Sequence, residues 1–264
     1  MVSNANGPGL TKAWAFDLDG VIWTGGTPIP GSAETVQALI DSGHPVVFVT
    51  NNSSATVSSQ EAKLASFGIA AEGRVITSAM AGAALVEPGE RAYVLGGPGV
   101  VEALENRHVS IVSDREARAE VPDVVVVGLD RELSYERLST AVLSVRAGAR
   151  FVATNTDSSY PSEVGLLPGG GAIVRAVAYS TDREPQVAGK PNEAQAGLVR
   201  RSIGDDGVMV GDRPETDGLF ALTLGYEFGL VFTGVTKPED LPVDPNPQYV
   251  ASDLAGMVTQ VLER

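Results

Sequence analysis

The stretch Ala13-Trp14-Ala15-Phe16-Asp17-Leu18-Asp19-Gly20 is apolar as far as Phe16 and then turns acidic. A short apolar run closed by Asp and Gly predicts a buried strand that ends where a loop begins. Alternation along a strand would put Asp17 and Asp19 on one face, and Gly20 breaks the strand, so both carboxylates can turn toward a shared point. Two like charges that close are costly without a cation between them. A hard, oxygen-seeking ion such as Mg²⁺ relieves the repulsion and lets one side chain serve as nucleophile and the other as proton donor.

The same rhythm extends in both directions from this strand. A strand near Ala13 to Asp17 is followed by a helix near Ala33 to Ser42, a strand Pro45 to Thr50 and a helix near Thr56 to Phe67. It resumes with a strand near Gln186 to Ala188, a helix near Glu193 to Ser202 and a strand Val208 to Gly211. A helix near Thr216 to Leu224, a strand near Phe228 to Phe232 and a helix near Asp253 to Leu262 complete it. This βαβ alternation predicts an α/β fold, a parallel sheet covered by helices on both faces. The middle of the chain carries its own set. Strands are expected at Ala92 to Leu95, Ser110 to Val112, Val124 to Val127 and Phe151 to Ala153, with helices near Tyr135 to Arg146 and Ala172 to Tyr179. The small, polar stretches Ala70 to Ser78 and Ser180 to Pro185 are the expected borders, so the first and last thirds form one discontinuous domain carrying an α/β insert.

Three more polar clusters follow apolar runs: Thr50-Asn51-Asn52, Gly189-Lys190-Pro191, and Gly211-Asp212 to Asp217. All four therefore sit at the carboxyl ends of strands, which in an open parallel sheet share one edge where ligands bind. Their chemistry suits phosphoryl transfer, which asks mainly for positioning and charge neutralisation. Asp17 would attack phosphorus. Asp212, with Asp17 and the backbone carbonyl of Asp19, would hold Mg²⁺. Thr50, Asn51 and Asn52 would seat the phosphate at a helix N-terminus, and Lys190 would add a compact positive charge. Asp19 would protonate the leaving alcohol and then deprotonate the water that hydrolyses the aspartyl-phosphate.

Each cluster also has a plainer reading. Asp-x-Asp-Gly is often just a turn, and Thr50-Asn51-Asn52-Ser53-Ser54 reads equally as a strand exit before a helix cap. Lys190 can be a solvated helix-start lysine, and Thr216 a cap for the next helix. The joint reading is favoured because the plain ones would have to coincide at all four places. Gly96-Gly97-Pro98-Gly99 lacks a nucleotide-loop pattern and reads as a turn into a helix. Leu167-Pro168-Gly169-Gly170-Gly171 reads as a loop before a helix that can press on a substrate. His44 and His108 receive no catalytic role. Trp23 either walls the site or packs in the core.

Composition narrows the field. The 264 residues suffice for a core and a smaller second domain, and the absence of cysteine excludes disulfides and thiolate metal sites. A net charge of -14 argues against nucleic acid or anionic membrane as a large-surface partner. Met1 to Thr11 is small and polar without an apolar signal core, and no run reaches the ~18 apolar residues of a membrane span, so a cytoplasmic protein is expected.

At this point the motifs resemble those of haloacid dehalogenase-superfamily phosphatases, in the NagD-like and p-nitrophenyl-phosphatase-like branch. The resemblance rests on Phe16-Asp17-Leu18-Asp19-Gly20-Val21, Thr50-Asn51-Asn52-Ser53, Gly189-Lys190-Pro191 and Gly211-Asp212-Arg213 with Thr216-Asp217. Ala153-Thr154-Asn155 with Asp157, Leu167-Pro168-Gly169, Val127-Gly128-Leu129-Asp130 and Thr233-Gly234-Val235-Thr236 suggest the branch. The resemblance implies a Rossmann-like core, 1–81 and 181–264, carrying an inserted cap of the type placed between the second and third motifs, 82–180. About thirty residues between Gly20 and Thr50 are too few for a cap there. It also implies that Asp217 lies near the metal or Lys190, that Tyr160, Ser162 and Glu163 face the substrate, and that a homodimer forms through the cap. Pro214 and Gly218 depart from the family pattern and bear on the loop that carries Asp217.

The reading is a Mg²⁺-dependent phosphatase of a small phosphorylated metabolite. A phosphotransferase or mutase of the same superfamily is the alternative within enzymes. A phospho-accepting receiver or a non-catalytic ligand-binding module is the alternative outside them, although a receiver is usually about half this size and carries no cap.

Overall fold

Ala13–Phe16 is buried at every position, as a strand covered on both faces must be. In the computed structural model, which describes residues 12–162 and 164–263, this strand lies inside a six-stranded parallel sheet. The order is Tyr249–Ala251, Glu227–Val231, Gly207–Gly211, Ala13–Phe16, Val46–Thr50, Val75–Thr77. Trp14, Phe16 and Phe48 pack on one face with Leu64 and Met257, while Ala15, Val47 and Met209 pack on the other with Val199 and Phe220. Alternate residues of each strand thus feed separate cores, which fixes the register of the central strands. Met1 to Thr11 and Glu163 lie outside the described residues.

A second, five-stranded parallel sheet runs Gln186–Val187, Arg150–Ala153, Val124–Val127, Arg91–Leu95, Ser110–Val112. Val124–Val127 is buried throughout. Two expectations need correction. The strand near Gln186 does not return to the first sheet: it pairs with Arg150–Ala153 at the edge of the second. At two residues it is too short to carry a periodicity that could assign it. The expected border Ala70 to Ser78 instead supplies the edge strand Val75–Thr77, and Thr77 caps the helix Ser78–Ala84 by accepting from Met80 N–H. That helix is made of small residues and offers little apolar stripe to read.

The two sheet units meet along a hydrogen-bonded seam. Thr154 Oγ1 donates to Ser53 Oγ at 2.9 Å, Asn155 Nδ2 donates to the Asn51 carbonyl at 2.7 Å, and Gly99 N–H donates to the Ser54 carbonyl at 3.0 Å. Glu102 accepts from Val57 N–H at 2.8 Å, closing the N-terminus of the helix Val57–Ser66. The Gly96–Gly99 segment is the expected turn into a helix, Pro98–Glu105, and its glycines let two backbones touch. A Cβ on Gly99 would overlap the Ala55 carbonyl and stand 2.7 Å from that of Ser53.

Backbone cannot yield as a side-chain tip can, so Gly99→Ala is expected to destabilise the fold by about 1–3 kcal/mol. Urea unfolding should show a lower midpoint at unchanged slope. A midpoint equal to that of the parent would contradict this account of the seam.

Candidate active site

Asp17 leaves Ala13–Phe16, Thr50 closes Val46–Thr50 and Asp212 follows Gly207–Gly211, so all three stand at the carboxyl edge of the six-stranded sheet, as expected. Lys190 does not share that edge. It arrives from the second sheet beyond Gln186–Val187, where Gly189 N–H donates to the Thr154 carbonyl at 2.7 Å. Its own N–H is bound by Asn51 Oδ1 at 2.9 Å and Gln195 Oε1 at 2.7 Å. Its ammonium then donates to Asp17 Oδ1 and Asp217 Oδ1, both at 2.7 Å.

Asp212 is held by crowding. A Cβ on Gly20 would stand 2.5 Å from Asp212 Oδ2 and one on Gly234 would overlap it, so only glycine fits at either place. Gly20 also has φ +85, which a side chain rarely adopts. Val235 N–H donates to Asp212 Oδ2 at 2.5 Å, whereas Oδ1 is buried with no partner among the described residues.

Asp217 belongs to a π-helical turn, Pro214–Gly218, where the sequence predicts a helix start at Thr216. Its Oδ2 accepts from the N–H groups of Asp212 at 3.2 Å and Arg213 at 3.1 Å. The family departures have a packing reason at Gly218, whose Cβ would stand 2.7 Å from Pro245 Cγ and 2.9 Å from Phe228 Cε1. Pro214 opens the turn, where a missing N–H costs little.

One carboxylate oxygen from each of Asp17, Asp212 and Asp217 lies within 4.8 Å of the other two. Both Asp217 oxygens are engaged by donors, and Asp17 Oδ1 is taken by Lys190. Among the described residues nothing donates to Asp17 Oδ2 or Asp212 Oδ1. An orphaned buried carboxylate oxygen facing another carboxylate fits a divalent cation. The Asp19 side chain is outside this group: its Oδ1 accepts from Trp23 Nε1 at 2.8 Å, so only the backbone carbonyl of Asp19 remains as its expected ligand atom.

The Thr50 to Asn52 stretch lines the same cavity, about 480 Å³ in volume, but it is not a helix N-terminus. The helix begins at Val57, with Thr56 as its cap. The stretch is shaped instead by its own side chains: Asn52 N–H donates to Thr50 Oγ1 at 3.0 Å, and Asn52 Oδ1 accepts from Ser54 N–H at 3.0 Å. Asn51 ties three segments together, its Nδ2 donating to Asp157 Oδ1 and to the Lys190 carbonyl, each at 3.2 Å. Tyr160 and Ser162 line the cavity from the hairpin Ser159–Ser162 and Gly165–Pro168. Arg213, named in the sequence only as part of the fourth motif, lines it too. So do Lys63 and Arg131, which sequence reading passed over because exposed-looking cations on helices and loops carry no pattern. Gln195 was missed likewise. Fully buried, it donates to the Thr50 and Ile76 carbonyls at 3.1 and 3.2 Å while accepting from Lys190 N–H.

Burial pushes the Asp17 carboxyl well above the usual carboxylate range against the pull of Lys190, with Asp217 and Asp212 pushing the same way. Burial, then the Asp217 charge, raises Asp212 to about 6. Burial alone would lower Lys190, but Asp17 and Asp217 outweigh it and hold the ammonium charged. Asp19 is raised by burial against the opposing indole N–H of Trp23.

Fold and site together define a hydrolase with carboxylates gathered at a parallel sheet edge beneath a second α/β unit. A haloacid dehalogenase-like hydrolase model matches residues 14–110 and a HAD-hydrolase-like model residues 187–257. An acid sugar phosphatase of Staphylococcus saprophyticus is 37% identical over 258 residues, covering 95% of this chain and 98% of that protein. A 5'-nucleotidase of Bacillus subtilis is 38% identical over 240 residues, 88% of this chain and 91% of its own. Among solved structures, p-nitrophenyl phosphatase from Archaeoglobus fulgidus superposes with a TM-score of 0.87 at 32% identity, covering 95% of this chain and 99% of that one. A glycerol phosphate phosphatase from Mycobacterium tuberculosis in complex with magnesium gives 0.85 at 33% identity, covering 94% and 76%. The chain belongs to the haloacid dehalogenase-like hydrolases, grouping with their phosphatases. No helix among the described residues is long and apolar enough to cross a membrane.

Asp212 keeps its proton up to about 6 in the folded chain, against a usual value of 3.8. Its contribution to stability is therefore full below the usual value and lost as pH rises through about 6. Metal-free Asp212→Asn should accordingly melt above the metal-free parent at about pH 7.5, with the gap narrowing toward about pH 5. A divalent ion should raise the melting temperature of the parent and not that of the variant. A variant less stable than the metal-free parent at neutral pH would contradict the electrostatic account.

Proposed function

We propose that the protein is a Mg²⁺-dependent phosphatase that cleaves a small-metabolite phosphate monoester through an aspartyl-phosphate on Asp17. The observation that carries this reading is the division of the two key carboxylates: Asp17 Oδ1 is bound by Lys190, while Asp17 Oδ2 and Asp212 Oδ1 have no donor among the described residues. Asp17, Asp212 and the backbone carbonyl of Asp19 are the groups that would hold the ion. Bound Mg²⁺ supplies charge neutralisation at a phosphoryl oxygen. Lys190 keeps its charge toward the same oxygens, held in place by Asp217. The Thr50 hydroxyl and the Asn51 N–H, which have no acceptor among the described residues, face the phosphate. Asp19 protonates the departing alcohol and later takes a proton from the attacking water.

The relatives support a small monoester as substrate, since their names specify sugar, nucleotide, nitrophenyl and glycerol phosphates. In this reading residues 1–81 and 181–264 are the catalytic core and 82–180 the cap, with Gln186–Val187 joined to the cap's sheet. The cap closes the cavity against bulk water. The protein works in the cytoplasm, and exposed Tyr135, Leu143 and Tyr179 on the cap's helices support a homodimer through the cap.

A phosphate-release screen over sugar, nucleotide, glycerol and glycolate phosphates tests the proposal. Release with Mg²⁺ and without an added acceptor is expected, together with loss of release on chelation. Asp17→Asn should lower turnover at least ~10³-fold. Transfer only to an added sugar hydroxyl would favour a phosphotransferase, and binding without turnover would favour a non-catalytic module.

A further inference from the structure

We propose that Trp23 is a positioning residue that decides which oxygen of Asp19 exchanges the proton: its indole N–H occupies Oδ1 and leaves Oδ2 to carry it. This rests on the reading of Asp19 as the acid and base of the reaction. Trp23 Nε1 lies 2.8 Å from Asp19 Oδ1. An indole nitrogen donates and never accepts, so Oδ1 must be the acceptor. Among the described residues no other group donates to the Asp19 carboxylate, and Asp19 lines the cavity. The proton of the neutral acid therefore resides on Oδ2. It passes from Oδ2 to the ester oxygen as the P–O bond breaks and the bond from Asp17 to phosphorus forms. In the second half a water proton returns to Oδ2 as the water oxygen bonds to phosphorus and the Asp17–phosphorus bond breaks.

The indole is held as a rigid donor should be. Trp23 is 2% exposed, its ring centroid lies 5.9 Å from that of Phe67, and the Lys63 ammonium sits 3.7 Å from it on the cavity side. The backbone repeats the link, since Gly20 N–H donates to the Trp23 carbonyl at 2.7 Å and Trp23 N–H to the Leu18 carbonyl at 3.2 Å. Donor and acceptor thus ride on one tight loop, and rotation of the Asp19 carboxylate would break the bond. Burial alone does not explain the contact. Trp14 is more deeply buried, and its Nε1 has no partner among the described residues.

The test compares Trp23→Phe with the parent on two esters, glycerol phosphate and p-nitrophenyl phosphate, through kcat/KM. That ratio reports steps up to alcohol release, before the hydrolysis step. An alkyl alcohol needs a proton to leave, whereas nitrophenolate does not. General acid catalysis contributes ~10²–10⁴-fold, and losing its orientation should forfeit a part of that, so about a tenfold or greater drop on glycerol phosphate is expected. On p-nitrophenyl phosphate the change should stay within about twofold, which also certifies that the variant is folded and its site intact. Asp19→Asn should show the same ester selectivity, more strongly. A second readout does not need turnover. The chain has two tryptophans, so the indole N–H resonance missing from Trp23→Phe is that of Trp23, and it should move in Asp19→Asn. Equal losses on both esters, no loss on either, or an indole resonance indifferent to Asp19→Asn would overturn the role of Trp23 alone. The phosphatase reading is tested apart from this, by the phosphate-release screen and by the turnover of Asp17→Asn.

Discussion

One buried ammonium between two buried carboxylates organises this molecule. Lys190 bridges Asp17 and Asp217 at 2.7 Å each, with Asp212 close by and largely shielded from water. Three carboxylates and one ammonium leave an excess of negative charge in a poorly solvated place, and such an excess is tolerated only where something cationic completes it. The arrangement is also a link between the two sheets, because Lys190 comes from the edge of one and its partners from the other. Removing the ammonium would leave Asp217 without its cation, a loss of about 3–5 kcal/mol for a broken buried pair.

The backbone makes this crowding possible. Gly20 and Gly234 admit the Asp212 carboxylate where any side chain would displace it, and Gly218 admits Phe228 and Pro245 beside the turn that carries Asp217. On the opposite wall Asn51 and Gln195 use their amides on peptide groups, so the loop that carries Lys190 is tied to the first sheet by side chains that never need to touch a substrate. Function then depends on packing at one remove: the lysine is placed by amides, and the amides are placed by buried strands.

Long buried strands and the polar residues at their ends were readable from the chain alone. Asp17, Thr50 and Asp212 stand where the alternation of apolar runs places them, because each follows or closes a strand of four or five residues with every position buried. Lys190 was readable as a member of the site but not by its route, since Gln186–Val187 is too short to declare which sheet it joins. The helix after this strand begins at Val57, close to where the sequence places it, but Thr50 to Asn52 is not its N-terminus, because Thr50 and Asn52 bond within their own loop ahead of the Thr56 cap. Asp217 was in view as the end of a polar cluster, but its place beside Lys190 came only through resemblance, as a π-helical turn has no sequence period of its own. Trp23 was left between wall and core, and it packs in the core while its N–H reaches Asp19.

The central claim is that Asp17 and Asp212 hold a divalent ion beside the phosphorus that Asp17 attacks. A crystal structure grown with Mn²⁺ and orthovanadate, read by the anomalous signal of the metal, tests it most directly. The account predicts one Mn²⁺ bound by Asp17 and Asp212, with vanadium next to the Asp17 carboxylate and within reach of Lys190. Manganese bound elsewhere, or vanadate seated away from Asp17, would contradict it.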